Sequence, residues 1–139
     1  MRTLARQITR CPRIFTTDQA QDARALFPDA PPEISALVAG AGSTSPYLLA
    51  LMQKETDWCR KAFDDPAAAV QRVIDGAGDV APDQLANHLR QGKRRVALMT
   101  GLADLAGAWS LEDVTGALTD FADAATQAAL TAGLKAQVK

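Results

Sequence analysis

From Pro82 to Ala132 the apolar residues recur at steps of three, four and seven, in two long runs separated by a short break at Gly107–Trp109. Leu85, Leu89, Val96, Met99, Leu102 and Ala106 mark the first run, and Leu111, Val114, Leu118, Phe121, Ala125 and Ala128 the second. That spacing puts each set on one face of an α-helix and is incompatible with the two-residue period of a strand. A link of only a few residues makes consecutive helices antiparallel neighbours. Residues 82–106 and 110–132 are therefore expected to form an antiparallel pair. Leu89, Val96, Leu118 and Phe121 are expected to pack on the helices that precede it.

The earlier part of the chain reads as shorter helices, with Pro and Gly as punctuation. Thr17 is placed to cap a helix carrying Ala20, Ala23 and Phe27, ended by Pro28. Pro31-Pro32 opens a short segment with Ile34, Leu37 and Val38, which Gly40 and Gly42 are expected to close. Ser45-Pro46 is a start signal, a capping hydroxyl followed by Pro at the first helical position. It opens a helix presenting Leu48, Leu51, Met52, Trp58 and Cys59. Asp65-Pro66 repeats the signal before Ala69, Val70, Val73 and Ile74, and Gly76 and Gly78 end that helix. Ser110 and Asp113 have capping-box spacing. Ala is abundant, β-branched residues are sparse, and no segment alternates as a strand would. The fold class that follows is all-α: one multi-helix domain over residues 1–139, its two long C-terminal helices packed on shorter N-terminal ones.

At 139 residues the chain is long enough to bury a core without disulfides or metals. Its net charge of −1 gives no field for nucleic acid or an anionic membrane, so neither is expected as a partner. No apolar run reaches the roughly 18–20 residues needed to span a bilayer. Cys11 and Cys59 lie far apart and cannot build a zinc site with the single His88, so reduced thiols and a cytoplasmic location are expected. The N-terminal MRTLARQITRCPRIF has four arginines and no acid. No apolar stretch of the signal-peptide kind follows it, and it reads as a surface helix or frayed end.

Candidates for chemistry are few. Gly42-Ser43 invites comparison with the Gly-Ser pair that holds triphosphate in nucleotidyltransferases, but those enzymes also need an Asp-x-Asp pair to bind the metals. The chain has no Asp-x-Asp, so Gly42-Ser43 is read as a loop before the Ser45 cap. The run Arg90-Gln91-Gly92-Lys93-Arg94-Arg95 places Arg90 and Arg94 on one helical face with Lys93 close by. Arg90, Lys93, Arg94 and Arg95 are thus the candidate contacts for a phosphate or an acidic partner, set against an ordinary solvated face. His88 reads as structural or exposed, and Trp58 and Trp109 as core or interface anchors. No catalytic residue and no metal ligand is assigned.

Three segments, in order, resemble the start of the N-terminal half of the bacterial glutamine synthetase adenylyltransferase/adenylyl-removing enzymes. SPYLLALM (45–52) is similar to that family's Ser-Pro-Phe/Tyr-Leu segment. LRQGKRRVALMTGLADLAG (89–107) is similar to its basic helix ending in Ala-Leu-Ala-Asp-Leu. LEDVTGALTDFADAATQAAL (111–130) is similar to the helix that follows. The resemblance covers residues 40–135. It departs at Gln91 and Gly92, where the family carries bulkier or basic residues, and near Ala103, where it often has Arg. A mid-helix Gly costs about 1 kcal/mol relative to Ala, so a bend or break is expected at Gly92.

The resemblance implies a parent enzyme with two nucleotidyltransferase units, one removing AMP from a tyrosine of glutamine synthetase by phosphorolysis and the other attaching it from ATP. It implies magnesium and ATP as cofactors of the parent and none in this chain. It implies as partners the remaining catalytic domains of the parent, glutamine synthetase and the PII signal protein, with PII and glutamine setting the balance of the two reactions. The family's first Gly-Ser…Asp-x-Asp motif lies beyond the segment that ends here at Lys139, so the chain resembles a helical lead-in to an absent catalytic domain and is expected to be inactive alone. Exposed apolar residues such as Leu134 and Val138 are expected on that reading. The alternative is a free-standing helical protein–protein interaction module, which needs a uniformly polar exterior.

Overall fold

The computed structural model describes residues 2–137, and every element among them is helical. In chain order these are α1 (Leu4–Gln7), α2 (Thr17–Leu26), α3 (Pro32–Thr44), α4 (Pro46–Lys54), α5 (Thr56–Ala62), α6 (Pro66–Asp75), α7 (Leu85–Leu105) and α8 (Leu111–Gln137), with a 3-10 turn at Pro82–Gln84 before α7. Val138 lies outside the described residues.

The start signals work locally. Ser45 accepts from the Leu48 amide at 3.2 Å, and Asp65 from the Ala68 amide at 3.2 Å. Ser110 and Asp113 exchange reciprocal 3.1 Å bonds, the full capping box. The first cap sits one residue earlier than expected. Thr16 holds the N-cap backbone of α2, and its hydroxyl donates to Gln19 Oε1 instead of accepting from the backbone.

Helix α7 is the axis of the fold and touches α3, α4, α5, α6 and α8. Its Val96, Leu98, Met99 and Leu102 are buried with Leu37 and Val38 of α3 and Met52 of α4 in one continuous core. Each such side chain taken from water contributes about 1.5–3 kcal/mol. α8 packs on α7, where a Cβ on Gly92 would meet the Phe121 ring at 2.8 Å, and reaches the α6–α7 link, where one on Gly78 would lie 3.6 Å from Ala128. Phe121 is the one fully buried residue of α8 among those described; Leu118, expected in the core, is 45% exposed.

Several glycines read as breaks are instead contact points. Gly40 and Gly42 lie inside α3, which runs unbroken to Thr44. A Cβ at Gly42 would sit 2.8 Å from that of Ala23, and one at Gly40 would strike Pro12. α7 is likewise continuous through Gly92, where the missing side chain makes room for Phe121. The helix expected to run from Pro46 through Cys59 does break, at Glu55 between α4 and α5.

Of the surface helix or frayed end expected near the N-terminus, a short helix, α1, forms, and it is tied to the core. Leu4 is wholly buried and its amide donates to the Phe63 carbonyl at 2.8 Å. Farther on, Thr9 and Arg10 close the end of α7. The Thr9 amide donates to the Ala106 carbonyl at 2.8 Å, and Arg10 Nη2 to that of Asp104 at 2.9 Å. Gly107, at φ 65°, completes the stop: the Ala108 amide bonds the Ala103 carbonyl at 2.9 Å and the Gly107 amide that of Asp104 at 3.0 Å. This is the Schellman arrangement, and the Arg10 cation sits where the helix dipole is negative.

Candidate functional site

The basic run on α7 divides between solvent and interior. Arg90 is exposed and donates to Asn87 Oδ1 at 2.8 Å, and Lys93 is exposed. Arg94 and Arg95 turn instead toward Glu55, at the break between α4 and α5. Arg94 Nε and Nη2 donate to Glu55 Oε2 at 3.2 Å, and Arg95 Nε donates to Oε1 at 2.7 Å. The Glu55 side chain is only 5% exposed, so its charge needs compensation, and the two guanidiniums supply it. Arg95 also lies over the Trp58 ring, 5.6 Å from its centre. Glu55 gave no local signal in the sequence. The clue was indirect: an acid amid apolar helical residues must find a cation if it is buried.

The other candidates take structural places. Ser43, expected in a loop, is buried in α3, where its hydroxyl donates to the Gly40 carbonyl and accepts from the Phe15 amide, both at 3.1 Å. His88 Nε2 lies 2.7 Å from the Gly76 carbonyl, closing the end of α6. Trp58 and Trp109 are half-buried against the core. Cys59 is buried, which pushes its thiol pKa up, while Cys11 is exposed. Among the described residues no cluster of His, Cys, Asp and Glu has the makings of a metal site, and no helix is long and apolar enough to cross a membrane.

A further feature is a surface. Along α8, Leu111, Leu118, Ala122, Ala129 and Ala136 follow one another at steps of seven and four, so they form one stripe, and all are exposed. Thr115, Thr126 and Gly133 fall on the same stripe, and the acids Glu112, Asp113, Asp120 and Asp123 fall off it. Leu111 is 77% exposed; Leu130, 58% exposed, and Leu134, 64% exposed, lie beside the stripe, on the side of Glu112 and Asp123. Near its end the helix carries a shallow groove of about 450 Å³ between Leu130, Leu134 and their small neighbours. α8 thus has two apolar faces: a narrow one, centred on Phe121, spent on α6 and α7, and a second that the described residues leave uncovered.

The family model for glutamate-ammonia ligase adenylyltransferase matches residues 33–139. The chain is 38% identical over 104 residues to the bifunctional glutamine synthetase adenylyltransferase/adenylyl-removing enzyme of Xanthobacter autotrophicus, covering 71% of this chain and 10% of the relative. It is 37% identical over 101 residues to the enzyme of the same name from Caulobacter vibrioides, covering 69% and 10%. With that of Rhizobium meliloti it shares 44% over 65 residues, covering 46% and 7%. The chain spans about a tenth of the length of the first two relatives. No solved structure matches it. The match from residue 33 onward takes in all of α3 but its first residue, the whole of α4 to α8 and the basic run with its Glu55 partner, and by it the chain belongs to the glutamate-ammonia ligase adenylyltransferase family.

Proposed function

We propose that this chain is the helical lead-in of a bifunctional enzyme that attaches AMP to glutamine synthetase and removes it, and that its own task is to dock the catalytic part of that enzyme. The observation that carries the reading is the uncovered stripe of α8, from Leu111 to Ala136. An apolar face left exposed along the length of a helix is the kind of surface an interface uses. A free-standing module would hold a polar face there. Metal-assisted transfer of an adenylyl group needs a carboxylate pair to hold its metals. On this reading that pair, with the ATP and magnesium it serves, belongs to the catalytic part. The exposed cations Arg90 and Lys93 are the residues of the basic run free to meet a phosphate or an acidic partner. Arg94 and Arg95 set the frame behind them through Glu55. Glutamine synthetase and the PII signal protein are the partners of the whole enzyme, acting in the cytoplasm.

Two measurements test this. The purified chain, given adenylylated glutamine synthetase, phosphate and magnesium, is expected to release no ADP; turnover would sink the lead-in reading. The chain is also expected to capture the separately expressed remainder of the Xanthobacter autotrophicus enzyme, and the Leu118→Asp/Ala129→Asp variant to lose that capture. If both forms stay monomeric and neither binds the remainder, the stripe is not a docking face and the free-standing module is the better account.

A further inference from the structure

A second feature is independent of that reading. Where α5, α6, α7 and α8 meet, they frame a half-open cavity of about 180 Å³. At about 30 Å³ per water, that is room for about six waters. Its apolar wall is Trp58, Val73, Leu89 and Phe121. Its polar wall is Arg72, His88, Arg95 and Gln91, and no Asp or Glu lines it.

Arg72 comes from α6 and the other three from α7, and two of the four are fixed in orientation. Arg95 is held by Glu55 through Nε and by the Trp58 face, so its terminal Nη donors remain for another acceptor. The His88 ring is set by the Gly76 carbonyl, which can only accept, so Nε2 donates and Nδ1 is the nitrogen left over. Arg72 projects from the exposed side of α6 and makes no ion pair among the described residues. Glu55 is shared between Arg94 and Arg95, so the polar wall keeps a net positive charge.

We propose that this cavity binds a small organic monocarboxylate, its carboxylate between Arg72 and Arg95 and its compact apolar body against Trp58, Val73 and Phe121. A guanidinium matches a carboxylate in planar, two-point fashion. An inorganic phosphate is a poorer fit, because it has no apolar body to cover Trp58, Val73 and Phe121 and so gains nothing from that wall. Few convergent polar groups on an otherwise apolar lining are the ordinary make-up of a small-molecule site.

The test is an amide and indole NMR titration of the labelled chain at constant ionic strength, with isovalerate, with its neutral amide and with inorganic phosphate. Isovalerate is expected to give saturable shifts at the Trp58 indole and at Ala77 and Gly92. Arg72→Ala, a change at an exposed position, is expected to weaken that binding at least about fivefold, with Arg72→Lys intermediate and the melting temperature of both little changed. The proposal is overturned if isovalerate gives no saturable shift, if phosphate or the neutral amide binds as well, or if Arg72→Ala leaves the affinity intact.

Discussion

Glu55 and its two arginines make an asymmetric unit, and the asymmetry fixes the order of mutational costs. The carboxylate is 5% exposed, whereas Arg94 and Arg95 are 34% and 28% exposed. Removing both guanidiniums strands a buried charge, which costs about 3–5 kcal/mol. Removing the carboxylate frees two cations that already reach water. Glu55→Gln therefore loses charge-assisted hydrogen bonds worth about 1.5–3 kcal/mol, discounted toward the lower figure by that exposure. Arg94→Ala or Arg95→Ala alone leaves Glu55 one partner and should cost about 1–2 kcal/mol. The two single costs are expected to sum to less than the cost of the double variant, because the second loss is the one that strands the charge. Adding Glu55→Gln to the double variant should then restore stability by at least about 1 kcal/mol, since a neutral amide is cheaper to bury than an unpaired carboxylate. Urea unfolding followed by far-UV circular dichroism measures all five variants on one scale, provided the slope is unchanged. Simple additivity of the arginine costs, or a Glu55→Gln variant less stable than Arg94→Ala/Arg95→Ala, would refute the account of a buried acid compensated by half-exposed bases.

The glycines should divide by sign. Gly92→Ala would push a Cβ to 2.8 Å from the Phe121 ring and should cost about 1–3 kcal/mol for overpacking, less the roughly 1 kcal/mol of helix propensity gained, whereas Gly116→Ala, with nothing within 4 Å, should stabilise by up to about 1 kcal/mol in the same urea assay. Asp65→Ala should cost about 1 kcal/mol by removing the cap of α6, and Asp65→Ser should recover most of it. A chromogenic thiol reagent should titrate Cys11 in the native protein within minutes and reach Cys59 only on unfolding, because burial keeps that thiol protonated; rapid reaction of both would contradict the core described.

The helix starts were legible because their chemistry is local: Ser45, Asp65 and Ser110 each satisfy an amide three residues on, and no distant partner is needed. Glycine was misread for the opposite reason. Its cost to a helix is a property of the chain, but its benefit depends on what comes close, and Pro12, Ala23 and Phe121 are remote in sequence from Gly40, Gly42 and Gly92. The helix keeps the conformational penalty because the neighbour fills the space. The N-terminal arginines illustrate the same limit. Arg10 owes its order to carbonyls at the far end of α7, which no window around residue 10 contains. The basic run was legible as a cluster of charge but not as two groups, since only the position of Glu55 decides which guanidiniums turn inward.

α8 shows how a correct periodicity can still misplace a residue. Steps of three and four from Leu111 to Ala128 suit a helix with one buried face, and that spacing places Leu118 on it with Phe121. Yet Leu118 and Phe121 lie far enough around the helix for the core to take the second and leave the first 45% exposed. The apolar arc of α8 is therefore wider than the contact that α6 and α7 offer it. In a helix built only to close this core, the surplus positions would tolerate Lys or Glu, as surface positions of a helix ordinarily do. Here they are Leu, Ala, Thr and Gly from one end to the other, with the acids kept to the remaining side. On the proposed reading, that breadth beyond what the core uses is what a second contact requires, and it favours α8 over the more conspicuous charges of α7 as the docking face.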